Sequence, residues 1–218
     1  DWSSDVCSSD LPGATLALTA LTRFVDSPVM DFCRAVLGLW DEEEETALAD
    51  REPTSPPGSL VAWELRDRLV RAALRGESLT FTGDAFARLR RDSVLPLGTL
   101  GQETFRSFAE EAEGIAARFR DASEGDEVQA RVLGVIARGT RITGRIDGFR
   151  TPDLRVVWRA GRAREKYVLR HWVEHLTACA DGFAGASTLV ALDGEVTFSA
   201  IPSDEAEDHL ADLVLLGE

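Results

Sequence analysis

The sequence predicts a mixed α/β (α+β) domain in which a helical half precedes a sheet with a helix laid on it. Three observations lead there. Through the first half of the chain apolar residues recur at helical spacing. From residue 127 the spacing falls to two, and Ile142, Ile146 and Phe149 stand among polar residues and glycines as in an extended strand. From Arg164 the spacing is four, with Val168, Trp172, Leu176 and Ala180 forming the stripe of a helix packed on a sheet.

Residues 1–11 (DWSSDVCSSDL) correspond to the in-frame translation of a common sequencing adapter and are set aside, Cys7 with them. The helical segment is expected over 12–125. Leu18, Leu21 and Phe24 mark a short first helix. Asp26-Ser27-Pro28 then gives a cap followed by proline at the first helical position, opening a helix that presents Val29, Phe32, Val36 and Leu37 and stops near Gly38. An acidic, proline-rich linker follows over 41–58. Its first twelve residues hold seven acids and one arginine, the pattern of a solvated loop.

Ser59 is expected to cap a long amphipathic helix carrying Leu60, Trp63, Leu65, Leu69, Ala73 and Leu74 and ending at Gly76. Another helix is predicted over 81–91, a loop at Leu95-Pro96-Leu97-Gly98, and a long helix over 102–121 with Phe105, Phe108, Ala112, Ile115 and Phe119 on one side. The sheet-and-helix core is expected over 126–218. It opens on a strand with Val128, Ala130, Val132 and then Val135-Ile136. The strand of Ile142 to Phe149 turns at Thr151-Pro152-Asp153 into a second, β-branched run from Leu154 to Trp158. Two antiparallel strands followed by a helix form the centre of a nuclease-like α/β fold. A hairpin turned by Asp193-Gly194 and a final helix capped at Pro202-Ser203-Asp204 complete the chain.

At 218 residues and 44% hydrophobic, the chain can bury one real core. No apolar run approaches the ~18 residues of a membrane span. The net charge of -14 disfavours a free-standing DNA binder. The bases are 23 arginines and one lysine, Lys166, a skew that fits a GC-rich genome. They are unevenly spread: residues 138–170 hold ten bases against three acids. Arg138, Arg141, Arg145, Arg150, Arg155, Arg159, Arg162 and Arg164 could therefore face nucleic acid or an acidic partner, or balance the acidic helices of their own domain. Cys33 and Cys179 have neither metal spacing nor a disulfide framework and read as small buried hydrophobes of a reducing compartment.

Two chemistries can be weighed. A metal nuclease needs an aspartate at a strand end, then an acid and a lysine two residues apart on the neighbouring strand, to hold Mg²⁺ and support the attacking water. Asp147 in Gly144-Arg145-Ile146-Asp147 meets the first requirement. Val156-Val157-Trp158-Arg159-Ala160 supplies neither acid nor lysine, and the triplet Asp153-Leu154-Arg155 lies at the turn. Asp147 thus reads as a vestigial nuclease position, with no catalytic or metal residue assigned. An active Mg²⁺-dependent nuclease of the same fold is the alternative reading. The run His171-Trp172-Val173-Glu174-His175 matches the H-x-x-E-H pattern of inverted zinc peptidases. Each histidine stands one position before a residue of the apolar stripe, so both are expected at its edge. No third ligand is evident downstream.

The residues Val156-Val157-Trp158-Arg159 and the run from Leu169 to Gly182 (LRHWVEHLTACADG) resemble the C-terminal domain of the RecC, or gamma-subunit, family of exodeoxyribonuclease V. Leu21-Thr22-Arg23-Phe24, Ser27-Pro28-Val29, Phe32, Leu95-Pro96-Leu97-Gly98 and Ile142-Thr143-Gly144 agree in the same order. The resemblance runs from about residue 16 to the end. It implies a PD-(D/E)XK, restriction-endonuclease-like fold with a degenerate active site and a non-catalytic, scaffolding role. It further implies contact with RecB and RecD subunits, help in splitting duplex DNA ends for recombinational repair, and a cytoplasmic location. No cofactor is implied in this domain, since ATP and Mg²⁺ serve the partner subunits. The family continues past the final helix, so Glu218 is expected to be a truncation.

Overall fold

The computed structural model describes residues 15–35, 37–38, 58–123 and 130–216. The adapter-like leader, most of the acidic linker, Val36 and Val128 lie outside the described residues. The observed order is β1 (Thr15–Ala17), α1 (Leu18–Asp26), α2 (Pro28–Ala35), α3 (Ser59–Leu74), α4 (Asp84–Arg91) and α5 (Gly98–Ala122). There follow β2 (Arg131–Ala137), β3 (Thr140–Ile146), β4 (Phe149–Thr151), β5 (Leu154–Trp158), α6 (Glu165–Ala180), β6 (Ala186–Ala191), β7 (Gly194–Phe198) and α7 (Ser203–Leu216).

The strands form a three-stranded sheet, β1-β3-β2, and a four-stranded sheet, β4-β5-β6-β7. β1 runs parallel to β3, with Leu16 opposite Ile142, and β2 runs antiparallel to it, with Val135 opposite Ile142. In the second sheet β5 and β6 are parallel, with Val157 opposite Leu189, and α6 makes the crossover between them. Two hydrophobic cores result. α3, α4 and α5 pack together around Leu65, Phe105 and Ile115 and reach Val156 of β5 and Val190 of β6. α1, α6 and α7 enclose Leu21, Ile142, Phe149, Leu176 and Leu210 with β2 and β3.

Arginines tie the helical layer to the sheet. Arg66 on α3 donates to the Ala160 carbonyl at 3.0 Å and to Glu111 on α5 at 2.7 Å. Arg118 on α5 donates to the Ala191 carbonyl at the end of β6, 2.7 Å away. Backbone carbonyls at strand ends have lost their ladder partners, and a guanidinium with several donors satisfies them without a further strand.

Several local expectations are corrected. The strand expected to run from Ile142 to Phe149 breaks at Asp147-Gly148: β3 pairs with β1 and β2, and only β4 pairs antiparallel with β5. Of Val132, Val135 and Ile136, expected as the strand's apolar residues, Val135 is buried, with Leu133 and Ala137, while Val132 and Ile136 are exposed, because one face of this sheet carries α1, α6 and α7. On α6 the buried face is centred on His171, Val173, His175 and Leu176, while Trp172 and Ala180 are only partly buried. Val29, Phe32 and Leu37 are exposed, as are Leu60 and Trp63 in the first turns of α3. Gly58, not Ser59, occupies the N-cap of α3. The C-terminus of that helix does close at Gly76, whose φ of +80° lets Gly76 and Glu77 N–H bond back to Ala73 and Ala72.

The break at Asp147-Gly148 depends on the glycine. Gly148 has φ +95°, and a Cβ there would lie 2.6 Å from Val157 Cγ1 and 2.8 Å from the Val156 carbonyl oxygen. Its own carbonyl accepts from Val156 N–H at 2.9 Å, so the bend is pinned to β5. Gly148→Ala combines a left-handed backbone with a backbone clash and is expected to cost about 2–4 kcal/mol. Urea denaturation measures it; a midpoint equal to that of the unsubstituted chain would sink the claim.

Candidate functional site

The bend between β3 and β4 brings Asp147 to the neighbouring strand β5 and to the outer side of α6, and the side chain that joins the three is Arg155. It is 2% exposed. Its Nε donates to the Asp147 carbonyl at 2.9 Å, its Nη1 to His171 Nδ1 at 3.1 Å, and its Nη2 to the Glu174 carboxylate. A buried guanidinium without partners would cost several kcal/mol, so three acceptors on two elements are what makes this burial tolerable. Because arginine can only donate, Nδ1 of His171 must accept, which places the ring proton on Nε2. Burial, reinforced by the Arg155 charge, pushes His171 down to about 3, so the ring is neutral at ordinary pH.

His175 is fixed by the same logic. Its Nε2 faces the Ser199 carbonyl at 2.9 Å and must donate; its Nδ1 then accepts from the Ser187 hydroxyl, also at 2.9 Å. Burial lowers its pKa, against an opposing contribution from Ser199. Both histidines are buried, not at the edge of the helix face as expected. The reason lies on other elements: Arg155, Ser187 and Ser199 supply polar partners to three of the four ring nitrogens, His171 Nε2 being left without one. The H-x-x-E-H pattern is therefore a packing device here. A nitrogen that accepts from a guanidinium, beside its positive charge, is not available to a cation. Among the described residues no cluster of three or more His, Cys, Asp or Glu side chains is arranged to hold a metal.

Two troughs meet at the end of β5. One, of about 320 Å³, lies between β5 and α6 and is lined by Arg145, Asp147, Arg159, Tyr167, Arg170 and Glu174 among others. The second, of about 560 Å³, lies between β5 and the α3–α5 layer and includes Trp63, Arg71, Phe119 and Arg150. Asp147, Val157, Trp158 and Arg159 belong to both. The Asp147 carboxylate is held by Arg145 at 3.0 Å. The Arg159 guanidinium lies 3.2 Å over the Tyr167 ring and lowers the tyrosine pKa.

The arginines singled out in the sequence separate into distinct groups. Arg138 and Arg141 are exposed on the β2–β3 hairpin, and Arg162 and Arg164 are exposed ahead of α6. Arg145 is exposed but engaged with Asp147. Arg150 is half-buried over the Phe119 ring at 4.6 Å, and Arg159 is half-buried against Tyr167. Arg155, grouped with the surface candidates, is interior. In the triplet Asp153-Leu154-Arg155 the acid stays in the turn, accepting from the Thr151 hydroxyl at 2.6 Å, while the arginine turns inward. The sequence carried one sign of this: Arg155 interrupts an otherwise apolar strand. Tyr167 as a platform and Glu174 as the counter-ion carried no such sign, since their partners are non-local.

Residues 13–217 match the family described as the RecC C-terminal domain. The chain belongs to the RecC C-terminal domain family. Over 201 residues it is 26% identical to the RecBCD enzyme subunit RecC of Escherichia coli (strain K12), covering 92% of this chain and 17% of that protein. The family match thus takes in every described strand and helix of the domain, with the Arg155 network at its centre. Among the described residues, no helix is long and apolar enough to cross a membrane.

In this RecC-family domain, Arg155→Met should destabilise by roughly 3–5 kcal/mol, because it leaves Glu174, His171 Nδ1 and the Asp147 carbonyl facing an apolar side chain. Combining it with Glu174→Gln should cost less than the sum of the two single changes, which a double-mutant cycle in urea tests. His171 generates a pH dependence. It titrates near its ordinary 6.5 when unfolded and at about 3 when folded, so the unfolded state binds the proton first. Stability is then intact above the unfolded pKa and is lost progressively as pH falls toward the folded one. Replacing His171 by Gln should flatten that decline; an unchanged slope between neutral and mildly acidic pH would contradict the assignment.

Proposed function

We propose that this domain is a non-catalytic part of a RecBCD-type exodeoxyribonuclease V. In this reading it contacts RecB and RecD subunits and helps to part the strands of duplex DNA ends during recombinational double-strand-break repair in the cytoplasm. Family membership and similarity to the RecBCD enzyme subunit RecC of Escherichia coli support the setting. We further propose that residues 126–218 are a PD-(D/E)XK-like core whose site has decayed, that residues 12–125 form the helical segment attached to it, and that residues 1–11 are foreign.

The observation that carries the non-catalytic reading is Arg155. Phosphodiester hydrolysis of this type needs carboxylates free to hold Mg²⁺. The two acids that line the trough beside α6 are Asp147 and Glu174, and each is already paired with an arginine. The Arg155 guanidinium fixed behind Asp147, with Arg145 on its carboxylate, surrounds that position with positive charge that disfavours a divalent cation. It cannot polarise a water molecule as a metal ion does. The domain accordingly has no cofactor of its own, ATP and Mg²⁺ serving the partner subunits. The exposed Arg138, Arg141, Arg162 and Arg164 are left to face DNA or a partner subunit.

Co-expression with RecB and RecD subunits from the same genome should yield a complex that survives purification. The domain assayed alone with Mg²⁺ and linear DNA should show no cleavage, and Asp147→Ala should change nothing. Cleavage by the isolated domain that disappears in Asp147→Ala would overturn the reading in favour of an active nuclease.

A further inference from the structure

The two troughs at the end of β5 are lined by six arginines, at positions 71, 145, 150, 155, 159 and 170, and by three acids, Asp67, Asp147 and Glu174. This positive excess is embedded in a chain of net charge -14, so any polyanion it draws must be held locally rather than by the field of the whole protein. The acids are all engaged: Asp67 with Arg71, Asp147 with Arg145, and Glu174 with Arg155. Arg170 is turned to Asp26 at 2.8 Å. Arg159 is different. Among the described residues no carboxylate lies within ion-pair distance of it, and its buried Nε–H has no hydrogen-bond partner.

Arg159 is also held still. Its backbone N–H bonds to the Val190 carbonyl at 2.9 Å, and its guanidinium plane is seated over the Tyr167 ring. A charged group with no carboxylate beside it that has been immobilised by stacking loses little entropy on meeting an oxyanion. It stands where both troughs meet, next to Trp158, and the indole of Trp63 at the far rim is 40% exposed.

We propose that Arg159 is the phosphate contact of a binding trough for a single nucleic-acid strand, which crosses the end of β5 and stacks a base on Trp63. The inference rests on the reading above, in which the domain handles unwound DNA, and it deepens that reading by naming the residues. Arginine alternating with aromatic rings is the chemistry of single-strand binding, where each base offers a stacking face and each phosphate a charge. An acidic peptide would use the charge but has no need of the exposed indole.

The experiment uses the 218-residue chain and a fluorescein-labelled oligothymidylate, followed by anisotropy over a salt series. The unsubstituted chain should bind more weakly as salt rises. Arg159→Ala should weaken binding by roughly tenfold and reduce the salt slope by about one, while Arg159→Lys should restore the slope. Trp63→Ala, outside both cores, should weaken binding and leave the slope unchanged. Arg90→Ala, on the exposed face of α4, should behave as the unsubstituted chain. Thermal melts confirm that each variant is folded; if Arg159→Ala fails to fold, the Lys and Trp63 variants decide. Equal binding by the folded Arg159 and Trp63 variants would overturn the proposal. So would polyglutamate competing as well as the oligonucleotide, an outcome that assigns the trough to an acidic protein. Co-purification of Arg159→Ala with RecB and RecD subunits separates the two readings: loss of strand binding with the complex retained concerns this trough alone.

Discussion

A single buried cation sets the arrangement of the second half of this protein. Arg155 projects from β5 into the space under α6, and its three donors reach the β3–β4 bend, His171 and Glu174. The contacts span 8 residues back to Asp147 and 16 and 19 residues forward to His171 and Glu174. Withdrawing the guanidinium would leave a carbonyl, an imidazole nitrogen and a carboxylate facing one another with no donor between them. The geometry is thus over-determined: the bend must present its carbonyl, α6 must rotate its histidines inward, and β5 must keep its phase. This explains why α6 buries His171 and His175 while Trp172, the larger apolar side chain, stays partly exposed.

Burial is the main reason those histidines are held neutral, and the Arg155 charge adds to it. Burial makes a charge on the imidazole costly, and a positive charge fixed nearby adds to the cost. His175, one turn further on, is tied instead to Ser187 and Ser199, so α6 is bound to β6 and to the segment after β7 by polar contacts as well as by Leu176 and Val173. The helical layer on the other side uses the same device in a simpler form. Arg66 and Arg118 close the free carbonyls at the ends of β5 and β6. In a chain with one lysine, guanidinium groups take over joints that a longer loop or a further strand would otherwise fill.

What could be read from the sequence followed from local pattern. The helices α3, α5 and α6, the turn at Thr151-Pro152-Asp153 and the hairpin at Asp193-Gly194 are all written in spacing and turn chemistry, and the structure has them. What could not be read depends on distant partners. Val132 and Ile136 are as apolar as Leu133 and Val135, and only the presence of α1, α6 and α7 on one face decides which pair is buried. The pairing of β1 with β3 joins residues more than a hundred positions apart through a three-residue strand that carries no signal of its own. The position of Asp147 at a strand end was legible. The buried role of Arg155 was not, because an arginine in a basic stretch looks like a surface charge until its acceptors are known.

An arginine-lined site and a metal site differ physically in ways that bear on the non-catalytic role proposed above. A divalent ion and a guanidinium both supply positive charge to a phosphate, but they differ in what else they do. The ion lowers the pKa of its bound water and accepts a fifth or sixth oxygen ligand as the reaction proceeds; the guanidinium offers directional donors and no open coordination position. In the proposed reading, a trough that presents Arg145 and Arg159 would hold a strand without cutting it, whether or not Mg²⁺ is present. For a domain proposed to guide DNA toward partner subunits that do the cutting, a permanent, non-hydrolytic grip is the more useful property. The pairing of Asp147 with Arg145 fits this logic, since an unpaired carboxylate at that point would repel the phosphate that Arg159 is placed to receive.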